Sequence, residues 1–203
     1  MSQLKENIIS TALQLFETYG YHGVTVNQIV EQSGTSKGGF YHHFKSKDEL
    51  LYMIHDYFIS YVLDKANAAI QIYATPTERL QAIIHSFVRV FDLYKPHISV
   101  FYQESIYLKP EYDGIIKKKR NEYRDIIFRV IEEGIEVGEF RSNLSVKITG
   151  MAILGMVNWS YKWYKADGEK TIEEIAEIFT DLILQALLTE QAKENPEYLP
   201  FLL

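Results

Sequence analysis

Side chains that can hold a polyanion are concentrated in one short stretch of the chain, residues 25–47. This stretch contains several hydroxyl groups, three lysines and the adjacent pair His42 and His43. Groups of these types donate hydrogen bonds to phosphate oxygens. The whole chain has 21 Lys and Arg against 27 Asp and Glu, a net charge of −6. Any affinity for nucleic acid must therefore come from this local cluster, and we expect the acidic remainder to confine the contact to that face.

Other kinds of chemistry lack the residues they need. The chain has no cysteine, which excludes disulfides, thiolate metal sites and cysteine nucleophiles. Its six histidines show no metal-ligand spacing, and there is no glycine-rich phosphate loop or nucleophile elbow. We expect no metal, no cofactor and no enzymatic activity. No apolar run approaches the ~20 residues of a membrane span, and Met1–Asn7 lacks an apolar core. We therefore expect no membrane partner, no secretory signal and a cytoplasmic location.

The elements that must position this cluster are helices throughout. Apolar residues recur at helical spacing, as in the stripe that contains Ile8, Ala12 and Phe16, and Gly20 ends that helix. Four capping boxes mark helix starts: Thr25 with Gln28, Ser46 with Glu49, Thr75 with Glu78, and Thr171 with Glu174. The predicted fold is all-α with about nine helices, at 4–20, 27–33, 36–42, 46–72, 76–94, 97–107, 110–137, 145–165 and 171–190. The tail from Asn195 is predicted to be irregular.

Residues 27–42 have the spacing of a helix-turn-helix, whose second helix enters the major groove of DNA. Gly34 supplies the left-handed backbone of the turn, and Ser36 caps the second helix. Gly38 and Gly39 each cost that helix roughly 1 kcal/mol relative to alanine. We expect the two glycines to allow a close approach of the helix backbone to DNA. The alternative is that this segment is only a weak helix or a loop.

Three adjacent stretches resemble the DNA-binding signature of the TetR family of transcriptional regulators: Thr25–Ile29, Gly34–Phe44 and Lys45–Leu51. Ala12, Phe16, Gly20 and Tyr21 match the helix and turn that precede them, so the resemblance covers about residues 5–51. Ser33 and Thr35 depart from it, because the family more often has alanine and a β-branched apolar residue there. This departure predicts a slightly looser turn.

The resemblance implies a DNA-binding domain at residues 1–47 and a ligand-binding and dimerisation domain at 48–203. Lys37 is the best candidate for a base contact, since lysine suits guanine O6 and N7. Phe40 and Phe44 are expected in the core, and His43 on the surface. The predicted DNA-contacting residues are Thr25, Ser36, Lys37, Gly38, Gly39, Tyr41, His42 and Lys47, with Thr25, Tyr41, His42 and Lys47 on phosphates.

In the C-terminal part, the resemblance implies a cavity for a small, largely apolar effector. Aromatic walls with a few polar handles suit such a cavity, although each aromatic residue could equally be ordinary core. Glu104 and Asn158 could orient a ligand or face solvent. The predicted ligand-binding residues are Tyr57, Tyr61, Phe91, Tyr94, Phe101, Tyr102, Glu104, Tyr107, Asn158 and Trp159.

The segment Asn158–Tyr164, with Gly168 and Glu173–Ala176, is similar to a TetR subset that includes fatty-acid and acyl-thioester-responsive regulators. This similarity suggests a fatty acyl-CoA or another lipid-derived effector. The basic run 117–120 could meet the phosphates of such a ligand, but a solvated helix face is the preferred interpretation.

The last two long helices carry apolar stripes that predict a four-helix bundle across the two-fold axis of a homodimer. The alternative is that the stripes close the core of one protomer. The predicted interface residues are Ala152, Gly155, Ile175, Phe179, Leu182, Ile183 and Ala186. The resemblance thus implies a dimeric repressor that leaves a palindromic operator when effector binds. An architectural DNA-binding protein without an effector, and an activator, remain as alternatives.

Overall fold

The structure is a computed structural model that describes residues 3–203. Within this range, β-structure is limited to a single bridge between Phe140 and Leu188. The helices are α1 Gln3–Gly23, α2 Val26–Gln32, α3 Lys37–His43, α4 Lys47–Ile72, α5 Pro76–Leu93, α6 Lys95–Glu104, α7 Pro110–Glu136, α8 Val146–Asn158, α9 Ser160–Trp163, α10 Ile172–Leu187 and α11 Glu190–Lys193. The predicted all-α fold is confirmed.

The helix boundaries differ from the predicted ones mainly where the sequence has no proline or glycine to mark a break. The predicted helix 145–165 is interrupted at Trp159, after which the short α9 begins. The predicted helix 97–107 ends at Glu104 and continues as a 3₁₀ turn, Ser105–Tyr107. Gly20 does interrupt α1, with φ +70° and ψ 161°, although helical backbone resumes up to Gly23.

Three of the four predicted capping boxes form as expected. Reciprocal side-chain and backbone hydrogen bonds join Thr25 to Gln28, Thr75 to Glu78 and Thr171 to Glu174. The fourth box is half formed: Ser46 Oγ accepts from the Glu49 N–H at 3.1 Å, but the Glu49 carboxylate accepts from the Lys45 N–H instead. The Glu49 carboxylate therefore still accepts from a backbone N–H before α4, but from that of Lys45, one residue earlier than predicted.

The chain divides into two compact units. Unit 1 comprises residues 1–60 and 94–118, and unit 2 comprises residues 61–93 and 119–203. The core of unit 1 contains Ile8, Phe16, Phe40, Phe44, Leu50 and Val100. α1, α2, α3 and α6 therefore pack around one core, and the start of α4 joins them. The division at residue 47 stays a prediction about function.

Unit 2 is centred on the pairing of α5 with α10. The buried face of α5 includes Leu80, Ile84 and Phe87, and that of α10 includes Ala176 and Leu184. The three residues of α5 are three or four positions apart and the two of α10 are eight apart, about two turns, which places them on one side of each helix. Burying these faces keeps their apolar side chains away from water, which stabilises the unit.

The carboxylate of Glu139 holds the C-terminal tail onto unit 2. It accepts hydrogen bonds from the Thr77 N–H at 3.0 Å and hydroxyl at 2.7 Å, and from the Tyr198 hydroxyl at 2.9 Å. Tyr198 is buried, and Leu199–Phe201 forms a 3₁₀ turn. The tail from Asn195, expected to be irregular, is therefore partly ordered, because Tyr198 donates to the Glu139 carboxylate, which also accepts from Thr77 at the start of α5.

Candidate nucleic-acid interface

α3 presents a polar face outward because its apolar residues are anchored in the core of unit 1. Phe40 and Phe44 are fully buried, as predicted. Lys37, Gly38, Tyr41 and His42 are exposed on the other side, with Tyr41 at 54 %. A helix of seven residues held by two phenylalanines can enter a groove while its base stays fixed.

The turn and cap before α3 form as the sequence predicts. Gly34 has φ +66°, the left-handed conformation that a side chain disfavours. The Ser36 hydroxyl accepts from the Gly39 N–H at 3.0 Å and so caps the helix. The β-region backbone of Ser36, with φ −95° and ψ 162°, sets the direction in which α3 leaves the turn.

The two glycines of α3 have different surroundings. A Cβ at Gly38 would lie 3.7 Å from Ser36 Oγ, an ordinary contact, so the protein itself does not require glycine there. A Cβ at Gly39 would lie 2.5 Å from Thr35 Oγ1, so Thr35 would have to move. The interpretation that both glycines serve close approach to DNA therefore has support at Gly38, whereas Gly39 is explained by the packing of Thr35.

Lys47 has a structural role that the sequence did not reveal. Its ammonium donates to the carbonyls of Tyr21 at 2.8 Å and Val24 at 2.6 Å. It also lies 4.1 Å from the centre of the Tyr21 ring. Burial lowers the pKa of Lys47, and the charge of Asp48 acts against that shift. The ammonium thus ties the start of α4 to the chain between α1 and α2, next to the exposed cap Thr25. Its phosphate contact stays a prediction.

The residues predicted to bind ligand are distributed over both units. In unit 1, the rings of Tyr57 and Tyr94 meet at 5.5 Å and both contact His97, which the sequence analysis did not single out. Burial lowers the pKa of His97 to about 4, so its imidazole is neutral at neutral pH. Phe101 is buried against Phe58, as ordinary core would be.

Glu104 and Tyr107 lie against α1. A Cβ built on Gly20 would be 3.8 Å from the buried Glu104 carboxylate. Tyr107 stacks on Tyr21 at 5.8 Å and meets His22 edge-on at 4.3 Å. These contacts give the two residues a packing role against α1, and their part in ligand binding stays a prediction. Tyr102 is half-buried and also interacts with a neighbouring group.

In unit 2, the predicted ligand residues have very different exposures. Phe91 is fully buried beside Phe87, whereas Tyr61 and Asn158 are half-buried and Trp159 is 61 % exposed. Unit 2 also has an apolar cavity of about 370 Å³, lined by Trp163, Tyr164, Lys165, Gly168, Glu169, Lys170, Ile175, Ile178 and Phe179.

The predicted dimer residues separate into an outer and an inner set. Ala152, Gly155, Leu182 and Ala186 are exposed on α8 and α10, and Phe179 is half-buried. Ile148, Met151, Met156 and Trp159 extend the exposed apolar face. Ile175 and Ile183 are buried in the protomer, because they lie on the side of α10 that packs within unit 2. Those two residues therefore belong to the core of the protomer.

Two further properties concern the described range 3–203. No group of three or more His, Asp or Glu side chains there is placed to hold a metal ion. None of its helices combines the length and apolar character needed to cross a bilayer.

Comparison with known proteins agrees with this geometry in both parts of the chain. Residues 8–52 match the family of bacterial regulatory proteins of the tetR family, and residues 73–187 match a tetracyclin repressor-like C-terminal domain. The chain is 21 % identical, over 94 % of both chains, to the HTH-type transcriptional repressor KstR2 of Mycolicibacterium smegmatis.

Two solved structures are similar over almost their whole length. The TetR family regulator PfmR of Thermus thermophilus has a TM-score of 0.82 and 31 % identity, covering 90 % of this chain and 99 % of PfmR. AibR in complex with isovaleryl coenzyme A and operator DNA has a TM-score of 0.76 and 27 % identity, covering 92 % of this chain and 98 % of AibR. The family is one of transcriptional regulators and not a class of enzymes. The chain belongs to the TetR family and is a DNA-binding transcriptional regulator with an N-terminal helix-turn-helix.

Proposed function

We propose that this regulator binds a palindromic operator in the cytoplasm as a homodimeric repressor and leaves it when a small, largely apolar effector binds. The observation that carries the proposal is the outward face of α3. The helix is capped by Ser36 and anchored by Phe40 and Phe44, and a Cβ at Gly38 would meet only Ser36 Oγ, at an ordinary contact distance of 3.7 Å. A duplex can approach the backbone there more closely than it could approach any residue with a larger side chain.

The roles of the individual residues follow from their positions on this face. Lys37 is exposed in the first turn of α3, and we propose that it contacts base edges, while Tyr41 and His42, further along the exposed side, contact phosphates. Thr25, the exposed N-cap of α2, is the residue we propose for a further phosphate contact. Ser36 and Gly39 shape the turn, and Lys47 supplies charge behind it.

A dimer is supported by the exposed apolar face of α8 and α10. Monomeric proteins seldom leave a contiguous apolar face in water, and the small residues Ala152 and Gly155 allow a second helix to approach closely. A pair of α3 helices can then read two half-sites of one operator.

An acyl-CoA thioester is the effector class that we propose. AibR, which resembles this chain over almost its whole length, was solved with isovaleryl coenzyme A and operator DNA. The ring cluster of Tyr57, Tyr94 and His97 offers an apolar wall with polar tips, which suits an acyl chain next to a carbonyl.

The DNA-binding part of the proposal is tested by selecting an operator from a randomised duplex pool and measuring affinity by fluorescence anisotropy. Lys37→Ala should weaken binding about 5- to 100-fold and relax preference at one base pair, the range for a lost base contact. Tyr41→Phe should weaken it only a few-fold. Lys117→Ala removes the same charge from α7 and should stay within about twofold. Unchanged binding by Lys37→Ala and Tyr41→Phe would mean that α3 is not the reading helix.

The effector part is tested separately. Native mass spectrometry of protein purified from its own host would reveal a bound small molecule. Isovaleryl-CoA and palmitoyl-CoA are then titrated into the operator complex, with free coenzyme A as control. An allosteric effector should weaken operator binding roughly 5- to 150-fold. If neither thioester exceeds the effect of free coenzyme A, the proposed effector class is wrong while the DNA-binding role stands.

A further inference from the structure

We propose that Lys109 and Asp48 are positioning residues for operator binding, because they hold the helix-turn-helix on the turn between α6 and α7. The inference rests on the proposed function, since it concerns the same DNA-binding surface. Neither residue lies on the outward face of α3. These two residues therefore affect operator binding only through the contacts by which they hold the helix-turn-helix.

Asp48 is the centre of this arrangement. Its carboxylate accepts a hydrogen bond from the Tyr21 hydroxyl at 2.6 Å and forms an ion pair with the Lys109 ammonium at 3.0 Å. The hydrogen bond from Tyr21 and the charge of Lys109 lower the pKa of Asp48, although burial opposes them. Three separate segments of the chain therefore meet at one carboxylate: the end of α1, the start of α4 and the start of α7.

Aromatic packing reinforces the same junction. Tyr107, two residues before Lys109, stacks on the Tyr21 ring with the planes 18° apart. Leu108 packs against the core that also contains Phe40 and Phe44, so the turn and α3 share one core. The positive φ of Gly20 breaks α1 just before Tyr21, which allows this side chain to turn toward Asp48.

The contacts continue from Tyr21 to the DNA-facing residues. Lys47 bonds the carbonyls of Tyr21 and Val24, and Val24 directly precedes the α2 cap, Thr25. Loosening the Lys109–Asp48 pair frees Tyr21, then the backbone that Lys47 holds, and finally the start of α2. A module that moves more freely must lose that freedom when it binds the operator, so its affinity falls.

The test uses two variants with opposite charge changes. Lys109→Met removes a positive charge and Asp48→Asn removes a negative one. If only general electrostatics mattered, the first would weaken DNA binding and the second would strengthen it. If the pair positions the module, both should weaken binding by about fivefold, and the double variant should lose no more than the worse single one. Lys117→Met, which breaks the 2.6 Å pair with Asp113, is the matched control and should stay within about twofold.

Thermal melting separates positioning from folding, since all variants should keep the wild-type transition to within a few degrees. Tyr21→Phe removes only the hydroxyl and provides the same test if Asp48→Asn does not fold. Amide hydrogen exchange should rise at Val24–Gln28 in Lys109→Met but not in Lys117→Met. The proposal fails if Lys109→Met binds like Lys117→Met, or if Asp48→Asn binds more tightly than wild type. A wild-type protein that binds no selected duplex would instead overturn the proposed function itself.

Discussion

Two exposed surfaces of this protein differ in composition, and the difference indicates their partners. The outward face of α3 is polar and includes Gly38, where a methyl group would fit without a clash. The outward face of α8 and α10 is apolar, with Leu182 52 % exposed and Trp159 61 % exposed. Proteins bind a polyanion with hydrogen-bond donors and with backbone that approaches it closely. They bind another protein surface by burying apolar surface area. The first surface suits DNA, and the second is the surface on which we propose that another copy of the chain packs.

The largest expected effect comes from the apolar surface. Leu182→Arg places a charge at the proposed dimer interface, so the dimer should dissociate. Operator affinity should then fall by a factor of about 10² or more, because the second half-site loses its effective concentration. Analytical ultracentrifugation and anisotropy measure the two effects. Val137→Arg, at another exposed apolar position, is the control. A dimeric Leu182→Arg protein would place the interface elsewhere.

Glu139 tests whether the C-terminal tail belongs to the scaffold or to a partner surface. Glu139→Ala leaves the Thr77 N–H and the Tyr198 hydroxyl without their acceptor, so unfolding free energy should fall by about 2 kcal/mol. Tyr198→Phe should lose about half as much. Urea denaturation measures both values, and operator affinity of the folded protein should not change. A loss of operator affinity without a loss of stability would show that the tail contacts a partner.

The same comparison explains what could be predicted from sequence. Caps, the Gly34 turn and the burial of Phe40 and Phe44 depend on residues within a few positions of one another, and each was predicted. The support given by Tyr107 to Tyr21 and by Glu139 to Tyr198 joins residues 59 or more positions apart. No local spacing reports such contacts. The prediction also assigned exposed and buried residues of α10 to one dimer interface. Helical periodicity marks both groups as apolar and does not tell which of them packs inside the protomer.

The two glycines of α3 give a sharper test of the polar surface. Gly38→Ala should raise the free energy of unfolding by about 0.5–1 kcal/mol, since alanine favours a helix and meets no obstacle. It should also weaken operator binding about tenfold by filling the space that DNA uses. Gly39→Ala should gain less stability, because Thr35 must move. Denaturation and anisotropy are measured on both variants. A Gly38→Ala protein that binds DNA like wild type would remove the main evidence for close backbone approach.

The smallest expected effect distinguishes the two units by pH. His97 in unit 1 has its pKa lowered to about 4 by burial alone. Its unfolded pKa is about 6.5, so the unfolded chain binds a proton that the folded protein excludes between these values. Stability from this residue is present above pH 6.5 and is lost as the pH falls toward 4. His85 in unit 2 also has a lowered pKa, mainly through burial, but Glu177 and Glu173 oppose the shift.

His97→Asn should therefore flatten the stability profile between pH 6.5 and 4 more than His85→Asn, as measured by urea denaturation at each pH. Equal profiles for the two variants would show that His97 is no less accessible to protons than His85.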